Sequence, residues 1–101
     1  MQIYGKEVDF KISRLKDAGN MELALQNMGK AETKAKESKT IQETIREMLE
    51  MLRTFFIEAT GQDVLAECED LQEAKDAYFA FLEEVKQQRD TVLGFGTDDI
   101  K

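Results

Sequence analysis

The sequence predicts a mainly α protein, a small antiparallel helical bundle with an N-terminal β-hairpin, and three patterns carry that prediction. From Thr40 to Gly61, apolar residues recur at Ile41, Ile45, Met48, Leu49, Leu52, Phe55, Phe56 and Ala59, the spacing of a helix that buries one face. A second helical stretch of similar length, Leu71 to about Val92, places Leu71, Ala74, Tyr78, Phe81, Leu82, Val85 and Val92 on its apolar side. Near the start, Val8, Phe10 and Ile12 alternate with Asp9 and Lys11, the period-two signature of a strand with one buried face.

The hairpin is expected within residues 3–12. Ile3 and Tyr4 pair back across a turn around Gly5-Lys6, since glycine accepts the positive φ of a tight turn. An isolated two-stranded hairpin is marginal in water, so it must lie on helices or pair with another chain. Ser13 caps a short turn through Leu15, and Ala18-Gly19-Asn20 interrupts it. Asn20 then caps a helix from Met21 to Glu37, packed at its start and solvated along its alanine- and lysine-rich end.

Thr40 and Glu43 form a capping box that opens the central helix, and Gly61 supplies a left-handed residue to close it. Val64, Leu65 and Cys68 suggest a short helix over Gln62–Glu67, with Cys68 as a buried thiol. Asp70 and Glu73 repeat the capping pattern at the head of the last helix. The short segment between the two long helices lets them pack as antiparallel neighbours, with Leu52 and Leu82 each facing the other's helix. Residues 1–93 are thus read as one helical domain with its hairpin, and residues 94–101, GFGTDDIK, as a mobile tail whose Asp98-Asp99 pair is solvated.

Composition narrows the chemistry. The chain has 101 residues, enough for one modest core. It contains no histidine and one cysteine, which removes the usual general base, the familiar zinc sites and any internal disulfide. Ser13 and Ser38 are the only serines, and neither sits in a nucleophile elbow. A non-enzymatic protein without cofactor or metal is expected. Residues 1–39 hold eight Lys/Arg against six Asp/Glu, whereas residues 40–101 hold six against fifteen. An acidic half of that kind disfavours nucleic acid. The one basic run, Lys30 to Lys39, is interleaved with Glu32 and Glu37 and reads as a solvated helix face. No apolar run approaches the roughly 18 residues of a membrane span, and no signal-peptide core opens the chain. A cytoplasmic protein that meets no membrane is expected.

Apolar residues outnumber the places on the inner faces of two packed helices. Met51, Ile57, Phe79 and Phe95 are the surplus, and they are the candidate partner-binding residues. The competing account is that the first helix, the hairpin and the short helix cover them. The hairpin edge together with this surplus favours a homo-oligomer.

Two segments resemble a known family. Ile3-Tyr4-Gly5-Lys6-Glu7, with the alternating Val8-Asp9-Phe10, is similar to the N-terminal hairpin of the small tail assembly chaperones of long-tailed phages and prophages. Phe55-Phe56-Ile57-Glu58-Ala59-Thr60-Gly61, then Glu69-Asp70-Leu71 and Ala77 to Val85, resembles their C-terminal helix–loop–helix. The loop from Gln62 to Asp70 is less glycine-rich than the family pattern. The resemblance implies a host-cytoplasmic protein that binds the tape-measure protein, and secondarily the tail-tube protein, during tail morphogenesis. The alternative is a head–tail connector or tail-completion protein retained in the virion.

Overall fold

The structure, a computed structural model, describes residues 1–35 and 40–94, with the backbone alone for 33–35. Its elements are β1 (Gln2–Ile3), β2 (Lys6–Glu7), α1 (Leu15–Ala35), α2 (Ile41–Thr60) and α3 (Leu71–Leu93). The helical bundle with an N-terminal antiparallel hairpin is therefore the observed fold.

In the hairpin Gln2 faces Glu7 and Ile3 faces Lys6, and both turn residues have positive φ, Tyr4 at 50° and Gly5 at 77°. This is the turn twist that matches two right-twisted strands, and it sits at Tyr4-Gly5, one residue earlier than expected. The Val8 N–H donates to the Met1 carbonyl at 2.7 Å, extending the pairing by one step. Beyond it, residues 8–11 belong to no strand. Val8 and Phe10 are buried while Asp9 and Lys11 are exposed, so the alternation survives without a longer strand. The helices, not a partner strand, supply the cover.

α1 begins at Leu15 and runs without a break through Gly19 and Asn20, so Asn20 is not a cap. The start is set by Asp17 in the first turn, whose Oδ2 accepts the Lys11 N–H at 3.0 Å and lies where the helix dipole favours negative charge. A helical glycine costs about 1 kcal/mol relative to alanine. Burial of Met21 and Ala24 just beyond it outweighs that. The expected end at Glu37 lies outside the described residues.

α2 keeps its expected bounds. Thr40 Oγ1 accepts the Glu43 N–H at 3.2 Å, and Gly61, at φ 78°, donates its N–H to the Ile57 carbonyl at 2.8 Å. Gln62–Glu67 does not form a helix. The chain makes turns over Val64–Glu67, closed by Cys68 N–H to the Leu65 carbonyl at 3.0 Å. Arg53 grips Asp63 from outside, Nε at 2.8 Å to Oδ1 and Nη2 at 2.6 Å to Oδ2, and the next two residues, Val64 and Leu65, are buried in the core. Cys68 is half-buried rather than buried, its Sγ 3.3 Å from the Asp70 carbonyl. Asp70 then caps α3, with Oδ1 accepting from Gln72 N at 2.8 Å and Glu73 N at 3.2 Å.

The core is a knot of aromatic rings at the C-terminal half of α2. Phe55 meets Phe56, Tyr78 and Phe81 edge-on at centroid distances of 5.4, 5.0 and 6.0 Å, and Phe10 meets Phe81 at 5.2 Å. Such edge-to-face pairs add roughly 0.5–1.5 kcal/mol each beyond area burial. Two expectations shift here. The closest backbone partner of α2 is α1 rather than α3, because alanines and methionines on α1 let the backbones approach while rings hold α3 further off. The residues of α3 whose rings meet α2 are Tyr78 and Phe81, whereas Leu82 is half-buried and lines a groove with α1.

Candidate partner-binding surface

Burial is unevenly shared along the helices. Among the described side chains, α1 has no buried residue after Ala24 and α2 has none before Leu52. The apolar stripe of α2 continues into this arm regardless, leaving Ile41 81% and Ile45 37% exposed. The helix face expected to be wholly internal is internal over its second half only.

Of the four residues singled out from sequence, three are described, and they differ in exposure. Ile57 and Phe79 are exposed, at 41% and 57%, and the Phe79 ring lies 5.4 Å from that of Tyr78. Phe95 lies outside the described residues. Met51 is half-buried and does line a depression. That depression, about 300 Å³, is formed by α1 and α2 alone. Met28, Met51 and Phe55 make its apolar floor. Glu47, Glu50 and Glu58 stand along its α2 edge, and Asn27 and Ala31 along its α1 edge. Asn27 Nδ2 donates to Glu58 Oε2 at 2.6 Å, which ties the two edges together at one end.

The floor follows from sequence spacing. Met51 and Phe55 are four residues apart on α2, so both side chains lie on one face one turn apart. Met28 comes from α1, which runs antiparallel to α2. Methionine suits such a floor because its unbranched thioether adapts to whatever lies on it.

A second groove, about 420 Å³, runs between the N-terminal half of α1 and the C-terminal half of α3. Met21, Leu25, Leu82 and Val85 line it, with Lys86 and Arg89 on its margin. Leu25, Val92 and Leu93 are exposed there, at 41%, 42% and 69%. Sequence reasoning missed this surface because it assigned Val92 and the start of the first helix to packed faces. The signal that was available is the chain's order: α3 is spent on the rings of α2, so its last turns have little left to pack against.

The Tyr4 hydroxyl donates to Glu73 Oε1 at 2.6 Å, and this bond, then the neighbouring Cys68, holds the phenol well above its ordinary range. Burial, then Glu32, also raises Tyr78. Among the described residues no cluster of three or more His, Cys, Asp or Glu is placed to hold a metal ion. No described helix is long and apolar enough to cross a membrane. Comparison with known protein families, with curated proteins and with solved structures gives no match.

Proposed function

We propose that this chain is a non-enzymatic, helix-binding assembly chaperone of the phage tail type, holding a tape-measure-like client through apolar contact. The observation that carries the reading is the methionine-floored groove between α1 and α2. Three helices give α2 neighbours on two sides, and the groove is the place where a fourth helix would complete a bundle. The resemblance of the hairpin and of the Phe55–Val85 region to tail assembly chaperones supplies the biological context. A long helical client offers apolar stripes that aggregate unless covered, and a protein carrying a formal charge of −7 keeps such a complex soluble. Self-association through the exposed arm belongs to the same reading.

Co-expression with the tape-measure protein tests it. Soluble yield of the client should rise with wild type and fall with Met51→Asp, while Ile57→Asp and Phe79→Asp report whether the outer residues share the contact. Circular dichroism on each variant controls for folding. Absence of rescue by wild type refutes the chaperone reading, and recovery of the protein from purified particles transfers the assignment to a connector or completion protein.

A further inference from the structure

We infer that β1 is a docking edge for a second copy of this chain, the two β1 strands pairing antiparallel about a twofold axis at Gln2 to give a four-stranded sheet. This concerns self-association and stands apart from the helix-binding reading. It starts from where the hairpin's hydrogen bonds fall. The Val8 N–H donates to the Met1 carbonyl at 2.7 Å and the Met1 nitrogen donates to the Val8 carbonyl at 3.0 Å, so these two residues are a hydrogen-bonded pair. In an antiparallel ladder such pairs alternate with pairs whose N–H and C=O groups point outward. Gln2 and Glu7, opposite each other one step on, are therefore an outward-pointing pair.

The two free edges of the hairpin differ. On the β2 edge, Gln62 Nε2 donates to the Glu7 carbonyl at 3.3 Å, and the exposed side chains of Lys6 and Glu7 are of the charged kind that guards an edge. On the β1 edge, no described residue bonds the Gln2 N–H or carbonyl. A cavity of about 380 Å³ opens there instead, lined by residues 1–4 and, from α3, by Ala77, Ala80, Phe81 and Glu84. Neither residue of β2 lines it. A strand added to β1 lies about 4.8 Å further out, beside Ala77 and Ala80, whose small side chains leave it space. The open groups call for an extended backbone rather than a helix, whose amides are already bonded within it. A second β1 answers with one operation: each Gln2 N–H donates to the other's carbonyl, and Met1 of each copy falls opposite Ile3 of the other. Neither Gln2 nor Ile3 is charged, so the strands meet without a like-charge pair. With the β2 edge covered, the pairing closes at two copies.

Sedimentation equilibrium on the full chain should show the average mass rising from one copy, 11.6 kDa, toward two between about 10 μM and 1 mM, the weak range of a small interface. Over the same series the Gln2 amide should slow its hydrogen exchange by about threefold or more, while the Glu7 amide, on the covered edge, should not change. Gln2→Pro removes the outward N–H without touching a bond inside the hairpin, a substitution that edge strands tolerate, and should hold the chain at one copy. Ala80→Arg, at an exposed position beside the edge, should do the same by filling the cavity. Circular dichroism melts check that both variants fold; should Gln2→Pro unfold, Ala80→Arg decides alone. A wild-type chain that stays at one copy up to 1 mM overturns the inference, as does a dimer that persists in Ala80→Arg. Loss of the dimer through Ile41→Asp while Gln2→Pro remains dimeric also overturns it, and places self-association on the N-terminal arm of α2.

Discussion

The two ends of the α1–α2 pair are built from similar helix but do different things. At one end, Leu52, Phe55, Phe56 and Ala59 are sealed by α3, the hairpin and the turns after Gly61. At the other, Ile41, Ile45 and Met48 continue the same stripe, Ile41 and Ile45 exposed and Met48 half-buried. The difference teaches that a periodic apolar pattern specifies a helix and its inward side, but not how far along that side cover extends. Cover is decided by the lengths of the other elements and by where the rings draw them. Here the aromatic knot fixes α3 toward the C-terminal half of α2.

The sharpest way to break this comparison is to remove a ring. Phe81→Ala should cost about 3–5 kcal/mol, because Phe81 touches Phe10, Phe55 and Phe56 at once. Against a typical domain stability of about 5–15 kcal/mol that is a large share, and a denaturant midpoint near wild type would dismantle the proposed core. Leu52→Ala, at a buried position, should cost about 2–5 kcal/mol. Leu82→Ala should cost clearly less, since Leu82 is only half-buried; equal losses would restore the symmetric two-helix core.

The caps sharpen it next. Asp70→Ala removes an acceptor for two amides at the packed end and should cost about 1–2 kcal/mol; Thr40→Ala removes an acceptor for one in the arm and should cost about 0.5–1 kcal/mol. Reversed ranking by thermal melts would mean that the arm contributes more to global stability than its burial indicates. Smaller still, Ile41→Lys should stay within about 0.5 kcal/mol of wild type. Native-state hydrogen exchange should show the amides of the first turns of α2 opening at lower free energy than those of Phe55–Ala59. Uniform protection along α2 would contradict a two-part helix.

The smallest expected effect is electrostatic. Hydrogen bonds from Arg53 hold the Asp63 carboxyl below its ordinary 3.8, so its folded value lies beneath its unfolded one. The pair therefore stabilises the fold above about pH 3.8, and that contribution is lost as pH falls through the lowered folded value. Asp63→Asn should lower the melting temperature slightly at neutral pH, with the difference from wild type closing under strong acid. A constant difference down to pH 2 would show that Asp63 acts through something other than its charge.

Much of the fold is legible in the chain because its signals are local. Thr40, Gly61 and Asp70 mark helix ends with chemistry that operates over three or four residues, and the structure uses each as written. The misreadings are tertiary. Gly19-Asn20 looks like a break until the burial of Met21 and Ala24 holds the helix through it. Val64 and Leu65 look like a short helix, but their burial in the core goes with turns, and Arg53, ten residues back from Asp63, pairs with the segment from outside. The surface was harder to read. Met51 could be singled out by its spacing, but its groove needs Met28 from another helix, and no periodicity in one segment reports what faces it.

The first twelve residues are latched to the far end of the chain. Tyr4 reaches Glu73, Gln62 reaches the Glu7 carbonyl, and the Ile12 N–H reaches Gln88 Oε1, a separation of 76 residues. A ribosome adds residues at roughly 5–20 per second, so Ile12 is added roughly 4–15 seconds before Gln88. Until then Val8 and Phe10 form an uncovered sticky edge on the nascent chain, at risk of pairing with a sibling on the same polysome. Asp9 and Lys11, alternating with them, put opposite charges on that edge and act as gatekeepers during the wait. Once α3 is complete no proline stands in the way, and the segment can close on it without a slow isomerisation.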